Sequence, residues 1–469
     1  MIFRSHLTLF IRLFCREMRS SMKMKEKKAT EKTALKKLLE AKKMANLGTF
    51  ARGVSIIGVG CTPFMMTLDS PETAGLTEGE LFGYAAIEAM KDAGVSPKDI
   101  EYYIHGEANP YGMSHYMTPN MQVSRWFGAH GTPSHHHSEA CCTGFIALDQ
   151  AANLVASGKY DMVLTGCVEM AGSAPDLGKP AHMRHELTNE EFMEMLSRVY
   201  DRAYSNPLEA AAFEVMDDTA AEYCRRYSLT DEQMDDTLNA LAISCRRASA
   251  RHPKALHRQE YKDLALECGF ENVDDFLKSP FNPKVTEYLR VSGAEQRCEG
   301  AAAAIVCSTE TARKITDRYI EILGSGACAM EASTPHLERK CTAEAARQVY
   351  GLTGVKPEEI GLFMCNDFFI PSELMAAEET GYLPRGEGWK YILDGRTAFD
   401  GDKPMNTNGG RTAFGHAYGA SGLADVYEAV TQMRGEAGER QVKKIPQYAM
   451  LRGFGGGQNV TCAILKKPE

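Results

Sequence analysis

No apolar run in this 469-residue chain approaches the ~20 residues that a membrane-spanning helix requires, so no span is expected. Basic charge is scarce over most of the length. Residues 1–43 carry 13 Lys+Arg against 4 Glu, net +9, which leaves 40 Lys+Arg against 58 Asp+Glu, net −18, for the remainder. A body that acidic offers no basic face to a phosphate backbone, which excludes nucleic acid as the main partner. A clear secretory cleavage pattern is missing too, and the 14 cysteines are scattered rather than spaced as a disulfide framework. Both features point to a reducing cytoplasm. No internal repeat is visible, and the one biased stretch is the lysine-rich KMKEKKATEKTALKKLLEAKKM ending at Met44. Residues 1–43 therefore read as a basic extension, with arginines among apolar residues in the loose manner of a mitochondrial presequence. The plainer reading is a disordered or mis-assigned start, with the domain opening at Met44.

What is present is ordinary globular composition, 44% hydrophobic and 25% charged, in a chain too long for one hydrophobic core. Two domains or a duplicated fold is the expectation. Strand-like runs occur at 54–60 (VSIIGVG), 100–106, 161–169, 301–308, 319–327 and 360–366. Amphipathic helices lie between them: 80–94 ends at a glycine, and from 145 to 157 Phe145, Leu148, Ala152 and Val155 share a face. This βαβ rhythm predicts an α/β fold with parallel strands and helices packed on the sheet faces. Between about 171 and 292 it gives way to polar helices such as DEQMDDTLNALAISCRRAS, read as an inserted, mostly helical layer. The halves are drawn at 44–310, containing the insertion, and 311–469.

The stretch HHHSEACCTGF (135–145) concentrates reactive side chains. Adjacent histidines or cysteines in a strand point in different directions, so the run is no metal cage, and no metal is expected. Cys141 and Cys142 as small core residues is the bland reading. Against it stands the local pattern of strand, CCTGF turn and helix. A thiol at the start of a helix meets unpaired N–H groups and the helix dipole, both of which favour the thiolate a nucleophile needs. A further glycine-rich segment, GFGGGQN, is followed by a strand rather than a helix, and so lacks the helix N-terminus of a dinucleotide site.

At this turn the chain resembles the thiolase superfamily, from residue 52 onward. Cys141-Cys142-Thr143-Gly144 resembles the family's Cys-x-Ser-Gly turn, and CEGAAAAIVCS (298–308) its CSDGAAA strand. NTNGGRTAFGHAYGASG (406–422) is similar to NxxGG…GHPxGA[ST]G, and MRGEAGERQV (433–442) to the following segment of sterol carrier protein X type thiolases. The register with Gly144, Ala147 and Glu169 selects Cys141; choosing Cys142 misplaces the helix by one. The resemblance implies two similar α/β halves in a five-layered α-β-α-β-α arrangement with an inserted helical loop domain.

It also implies a CoA-dependent acyltransferase that cleaves or forms a β-ketoacyl-CoA through an acyl-cysteine, with coenzyme A as co-substrate and no covalent cofactor. Cys141 would be the nucleophile, His416 its base, and Asn366 an oxyanion-orienting residue. The backbone N–H groups of Cys141 and Gly455 would form the second oxyanion hole. One departure matters. The family's second cysteine is replaced by Gly453 in one of its two locations and by Phe368 in the other. His416, Cys365, Cys142 or one of His135–His137 could take over its proton transfer at the α-carbon. Phe368, Phe369 and Tyr418 suit a pocket for bulky or aromatic acyl groups, or are simply packing. The rival readings are a retro-aldolase on a hydroxyacyl-CoA and a non-catalytic subunit. A homodimer or dimer of dimers is implied, pairing near SHHHSEA, with a small zinc-ribbon/OB-fold subunit helping to bind CoA.

Overall fold

A computed structural model describes residues 50–108, 118–170, 211–329, 337–456 and 459–469. The basic extension and residues 171–210 of the expected insertion lie outside them. The strands are β1 (Val54–Cys61), β2 (Tyr102–Gly106), β3 (Ser134–His137), β4 (Met162–Glu169), β5 (Gly300–Ser308), β6 (Ile320–Ala329), β7 (Ile360–Cys365), β8 (Tyr448–Gly455) and β9 (Asn459–Lys466). The principal helices are α1 (Glu78–Ala93), α2 (Thr143–Ala156), α3 (Ala211–Tyr227), α4 (Asp231–Ala250), α5 (Leu337–Thr353), α6 (Ile370–Glu379) and α7 (Tyr418–Arg434). Local chemistry sets their ends. Thr77 and Glu80 form a capping box at the start of α1, and Gly94, at φ 70°, closes it.

The strand order β3-β2-β4-β5-β1-β6-β9-β8-β7 exposes a duplication that the residues themselves conceal. The segment β2-β4-β5-β1 is matched by β7-β8-β9-β6. In each, the first pair is parallel and the next two are antiparallel. The halves join where β1 pairs with β6. Among the described strands, parallel pairing is thus confined to β2–β3, β2–β4 and β7–β8. The helix-connected rhythm overstated it because parallel neighbours need a crossover, whereas β8 and β9 are separated by only the residues between Gly455 and Asn459, too few for one, and run antiparallel.

Period-two alternation distributes each strand between two cores. Ile104, Val163, Met364, Leu451 and Leu465 face a central core that also takes Leu148 and Val155 of α2 and Leu423 and Val430 of α7. Leu164 and Ile305 pack outward on Leu81 and Phe82 of α1. Phe363, Met450 and Ile464 pack outward on α5 and α6, and Tyr223 of α3 and Leu241 of α4 join them. The result is the layered order helix, half-sheet, paired helices, half-sheet, helix. Between β4 and β5 the described residues contain helices and no strand.

The middle layer positions the site. α2 and α7 occupy matching places in the two halves and touch through their backbones. A Cβ on Gly144 would lie 2.6 Å from Gly419 O and 2.8 Å from Leu423 N, so only glycine allows this approach. Cys141 lies just before α2 and His416 just before α7.

Candidate active site

The turn between β3 and α2 is strained and locked. Ala140 sits at φ 49°, a left-handed conformation costly for a residue with a Cβ. Thr143 Oγ1 donates to Ala140 O at 2.6 Å and accepts from Glu139 N at 2.8 Å. The amides of Cys142 and Thr143 donate to the carbonyls of Glu139 and Ala140, both at 3.1 Å. This geometry separates the two cysteines. Cys141 Sγ lies 3.2 Å from His416 Nε2. Cys142 is fully buried in the central core, with Sγ 3.5 Å from Thr461 Oγ1.

His416 is fully buried, and its Nδ1 lies 3.1 Å from Ser421 Oγ. With Nδ1–H donating to that hydroxyl, Nε2 keeps its lone pair toward Cys141. Burial holds the imidazole well below its usual pKa, and the cations Arg411 and Arg297 push the same way. Burial also raises the Cys141 thiol, and Glu295 raises it further against an opposing effect of Arg411. The resting pair is therefore neutral thiol and neutral imidazole. That corrects the expectation of a thiolate held by the helix start: the first amides of the turn are already bonded, and burial outweighs the dipole. A base is needed at the moment of attack.

Asn366 is fully buried at the end of β7. Its Nδ2 donates to Phe454 O at 2.8 Å and its Oδ1 accepts from Phe368 N at 3.0 Å. The structure thus brings Cys141 and His416 into contact, and it holds Asn366 in the neighbouring loop with its amide given to backbone. Gly455 lies against the nucleophile turn: a Cβ there would meet Glu139 O at 2.8 Å and Cys142 N at 3.3 Å. At Gly453 a Cβ would meet Phe145 at 2.5 Å and Cys142 Sγ at 3.0 Å, so this position has no room for a thiol.

The other candidates point elsewhere. His135 is bonded to Gln150 at 2.7 Å and Tyr102 at 3.2 Å, and His137 Nε2 donates to Thr143 O at 3.2 Å. His136 faces the opposite side of β3, beside His105. Cys365 is fully buried under Asn406. Sequence reasoning missed three contributors. Ser421 lies in the GASG segment, where its hydroxyl could have been suspected. Arg411, in the same block, forms a bidentate pair with Asp425 at 2.8 and 2.7 Å, and its N–H donates to Asp367 Oδ1 at 2.8 Å, fixing the loop that carries His416. Glu295 Oε2 lies 3.3 Å from His416 Nε2, and no local pattern announced it. Among the described residues, two buried clusters have donor atoms close enough to share a metal, Glu78–His105–Glu107 and Cys245–Asp367–Glu373. Neither includes Cys141 or His416, and His105 Nε2 is already bonded to Glu107 at 2.6 Å.

Residues 54–263 match the family model of the thiolase N-terminal domain, and residues 328–467 that of the thiolase C-terminal domain-like family. The chain belongs to the thiolase superfamily. Acetyl-CoA acetyltransferase of Methanothermobacter thermautotrophicus is 27% identical to it, over 86% of this chain and 97% of that one. Benzoylsuccinyl-CoA thiolase subunit BbsB of Thauera aromatica is 26% identical, over 87% of this chain and 95% of its own length. Among solved structures, the Ltp2-ChsH2(DUF35) aldolase superposes with a TM-score of 0.69 at 20% identity, covering 89% of this chain and 98% of that one, a likeness of fold. The acetyltransferase and thiolase relatives, matched over nearly their whole length together with both thiolase domain models, support a thiolase-class CoA acyltransferase. No described helix is long and apolar enough to cross a membrane.

Proposed function

We propose that Cys141 is the nucleophile and His416 the base of a reaction that cleaves or forms a β-ketoacyl-CoA through an acyl-Cys141 intermediate. The observation that carries this is the 3.2 Å contact between Sγ and an imidazole nitrogen whose partner nitrogen is fixed by Ser421. In the cleavage direction His416 Nε2 takes the thiol proton as Sγ attacks the β-carbonyl carbon. The oxyanion that forms is received by the backbone N–H groups of Cys141 and Gly455, which the close approach of Gly455 to the turn supports. Asn366 completes the set. At rest its amide bonds Phe454 O, so contact with a substrate oxygen entails giving up that bond.

The acyl group in this reading is bulky or aromatic. Phe368 stacks on Phe454 at 5.2 Å, and Tyr418 stands edge-on to His416 at 5.0 Å with its buried hydroxyl unpartnered. The name of the Thauera relative, a benzoylsuccinyl-CoA thiolase subunit, favours the same class. The word subunit there, and the DUF35 component named in the aldolase neighbour, favour a small partner, for which we keep the zinc-ribbon/OB-fold type. Among the described residues β3 is an edge strand, which supports a homodimer paired beside the site, alone or as a dimer of dimers. The described cysteines are all free thiols, which suits the cytoplasm. The duplicated topology supports domain halves at 44–310 and 311–469.

The test is thiolysis of an aromatic 3-ketoacyl-CoA by free CoA, with the matching 3-hydroxyacyl-CoA as the control. Turnover of the keto substrate alone is expected. Cleavage of the hydroxy substrate to an aldehyde or ketone without CoA would instead mark a retro-aldolase.

A further inference from the structure

Making or breaking a carbon–carbon bond between thioesters requires a group that gives or takes a proton at the α-carbon. Cys141 and His416 are committed to the acyl transfer itself. We propose that the carboxyl group of Glu295 is the acid and base at the α-carbon, standing in for the absent second thiol.

Its placement is the first argument. Glu295 Oε2 is 3.3 Å from His416 Nε2, the same nitrogen that faces Cys141 Sγ at 3.2 Å. The side chain is 18% exposed, enough to meet a substrate and little enough to keep bulk water off. Its backbone is held from both sides: Glu295 N donates to Phe368 O at 2.8 Å, and the next residue, Gln296, accepts from His416 N at 2.7 Å. The carboxylate is thus clamped between the Asn366 loop and the His416 segment.

Elimination is the second. Cys142 points at Thr461, Cys365 lies in the core, His135 is taken by Gln150, and His137 by a backbone carbonyl. Position 453 is closed by Phe145 and Cys142. The third is protonation. Burial raises Glu295 to about 7; Arg297 and Arg411 oppose the rise and Asp367 adds to it. Cys141 and Tyr418 also feel its charge. A carboxyl poised there has both forms populated near neutrality, as a group that must act as acid and then as base requires.

The steps balance. The Cys141 proton passes to His416 Nε2, the Sγ–Cβ bond forms, and the Cα–Cβ bond breaks. The electron pair left on Cα takes the Glu295 proton, releasing the first acyl-CoA. His416 passes the proton it took across the 3.3 Å contact to the Glu295 carboxylate, and incoming CoA thiol then gives its own proton to His416 Nε2 as it attacks the acyl carbon. The Sγ–C bond breaks, and Sγ recovers its proton from His416. Every group is restored.

This rests on the acyltransferase reading above, and the two can fail separately. The readouts are deuterium exchange at the α-carbon of acetyl-CoA in D2O, followed by NMR, and acylation of Cys141 by the same compound, followed by intact mass. Glu295→Gln should lower exchange and ketoacyl-CoA cleavage by about 10²- to 10⁴-fold while leaving acylation within about fivefold. Glu295→Asp should recover part of the exchange. Wild-type exchange should rise with pH through about 7, as the carboxylate forms, and this inflection should vanish in Glu295→Gln. Unchanged exchange in Glu295→Gln, or equal losses of acylation and exchange, would overturn the proposal, the second by reducing Glu295 to a support for His416. Wild-type protein that never acylates would sink the acyltransferase reading itself.

Discussion

Replacing Asp425 by leucine should destabilise the fold far more than removing an ordinary surface carboxylate. Asp425 is fully buried in α7, holds both terminal nitrogens of Arg411, and accepts a third bond from Asn408 Nδ2 at 3.1 Å. Arg411 is itself only 1% exposed, so Asp425→Leu strands a guanidinium in the interior. Such a loss costs about 3–5 kcal/mol. The double variant Asp425→Leu, Arg411→Met removes the stranded charge along with its partner and should lie within about 1–2 kcal/mol of wild type, since an apolar pair of similar volume often matches a buried ion pair. Urea unfolding of wild type, both single variants and the double closes the cycle. Activity should part company with stability. Arg411 opposes the rise of the Cys141 pKa, so the double variant should be folded yet acylate more slowly. A single-variant cost below about 1 kcal/mol, or a double variant worse than either single, would refute the claim that this pair anchors the His416 loop.

Gly455→Ala should press its methyl against Glu139 O and the Cys142 amide, displacing the nucleophile turn and lowering kcat at least tenfold, read by steady-state thiolysis. Glu295 gives a pH-dependent stability. Its folded carboxyl keeps its proton up to about 7 against an ordinary 4.5, so stability falls as pH rises between those values. Glu295→Gln should therefore stabilise the protein by up to about 3 kcal/mol at pH 8 and hardly at all at pH 4, measured by urea unfolding.

The sequence carried the elements well wherever a periodic pattern decided them. The apolar run at 54–60 became β1, and the 145–157 stripe became the face of α2 in the central core. The spacings from Cys141 to Gly144, Ala147 and Glu169 mark where a turn meets a helix, and Cys141 is the residue in contact with His416. Topology was harder to read, because antiparallel and parallel neighbours look alike in one strand's residues. The duplication became visible only through the matching strand order. Thiol ionisation was misjudged, since burial and the partners of the turn amides cannot be seen from a motif. Glu295 escaped notice for a similar reason. Its contact with His416 joins segments far apart in the chain, and an acid beside CEGAAAA looks like any loop acid.

Cys141, and not its neighbour, is the residue expected to carry the acyl group. Intact-mass and peptide-level mass spectrometry after mixing the protein with acyl-CoA in the absence of free CoA tests this directly. The structure predicts a single acyl adduct on Cys141 in wild type and in Cys142→Ala, and none in Cys141→Ala or, on the same timescale, in His416→Ala. An adduct on Cys142, or full adduct formation in Cys141→Ala, would contradict it.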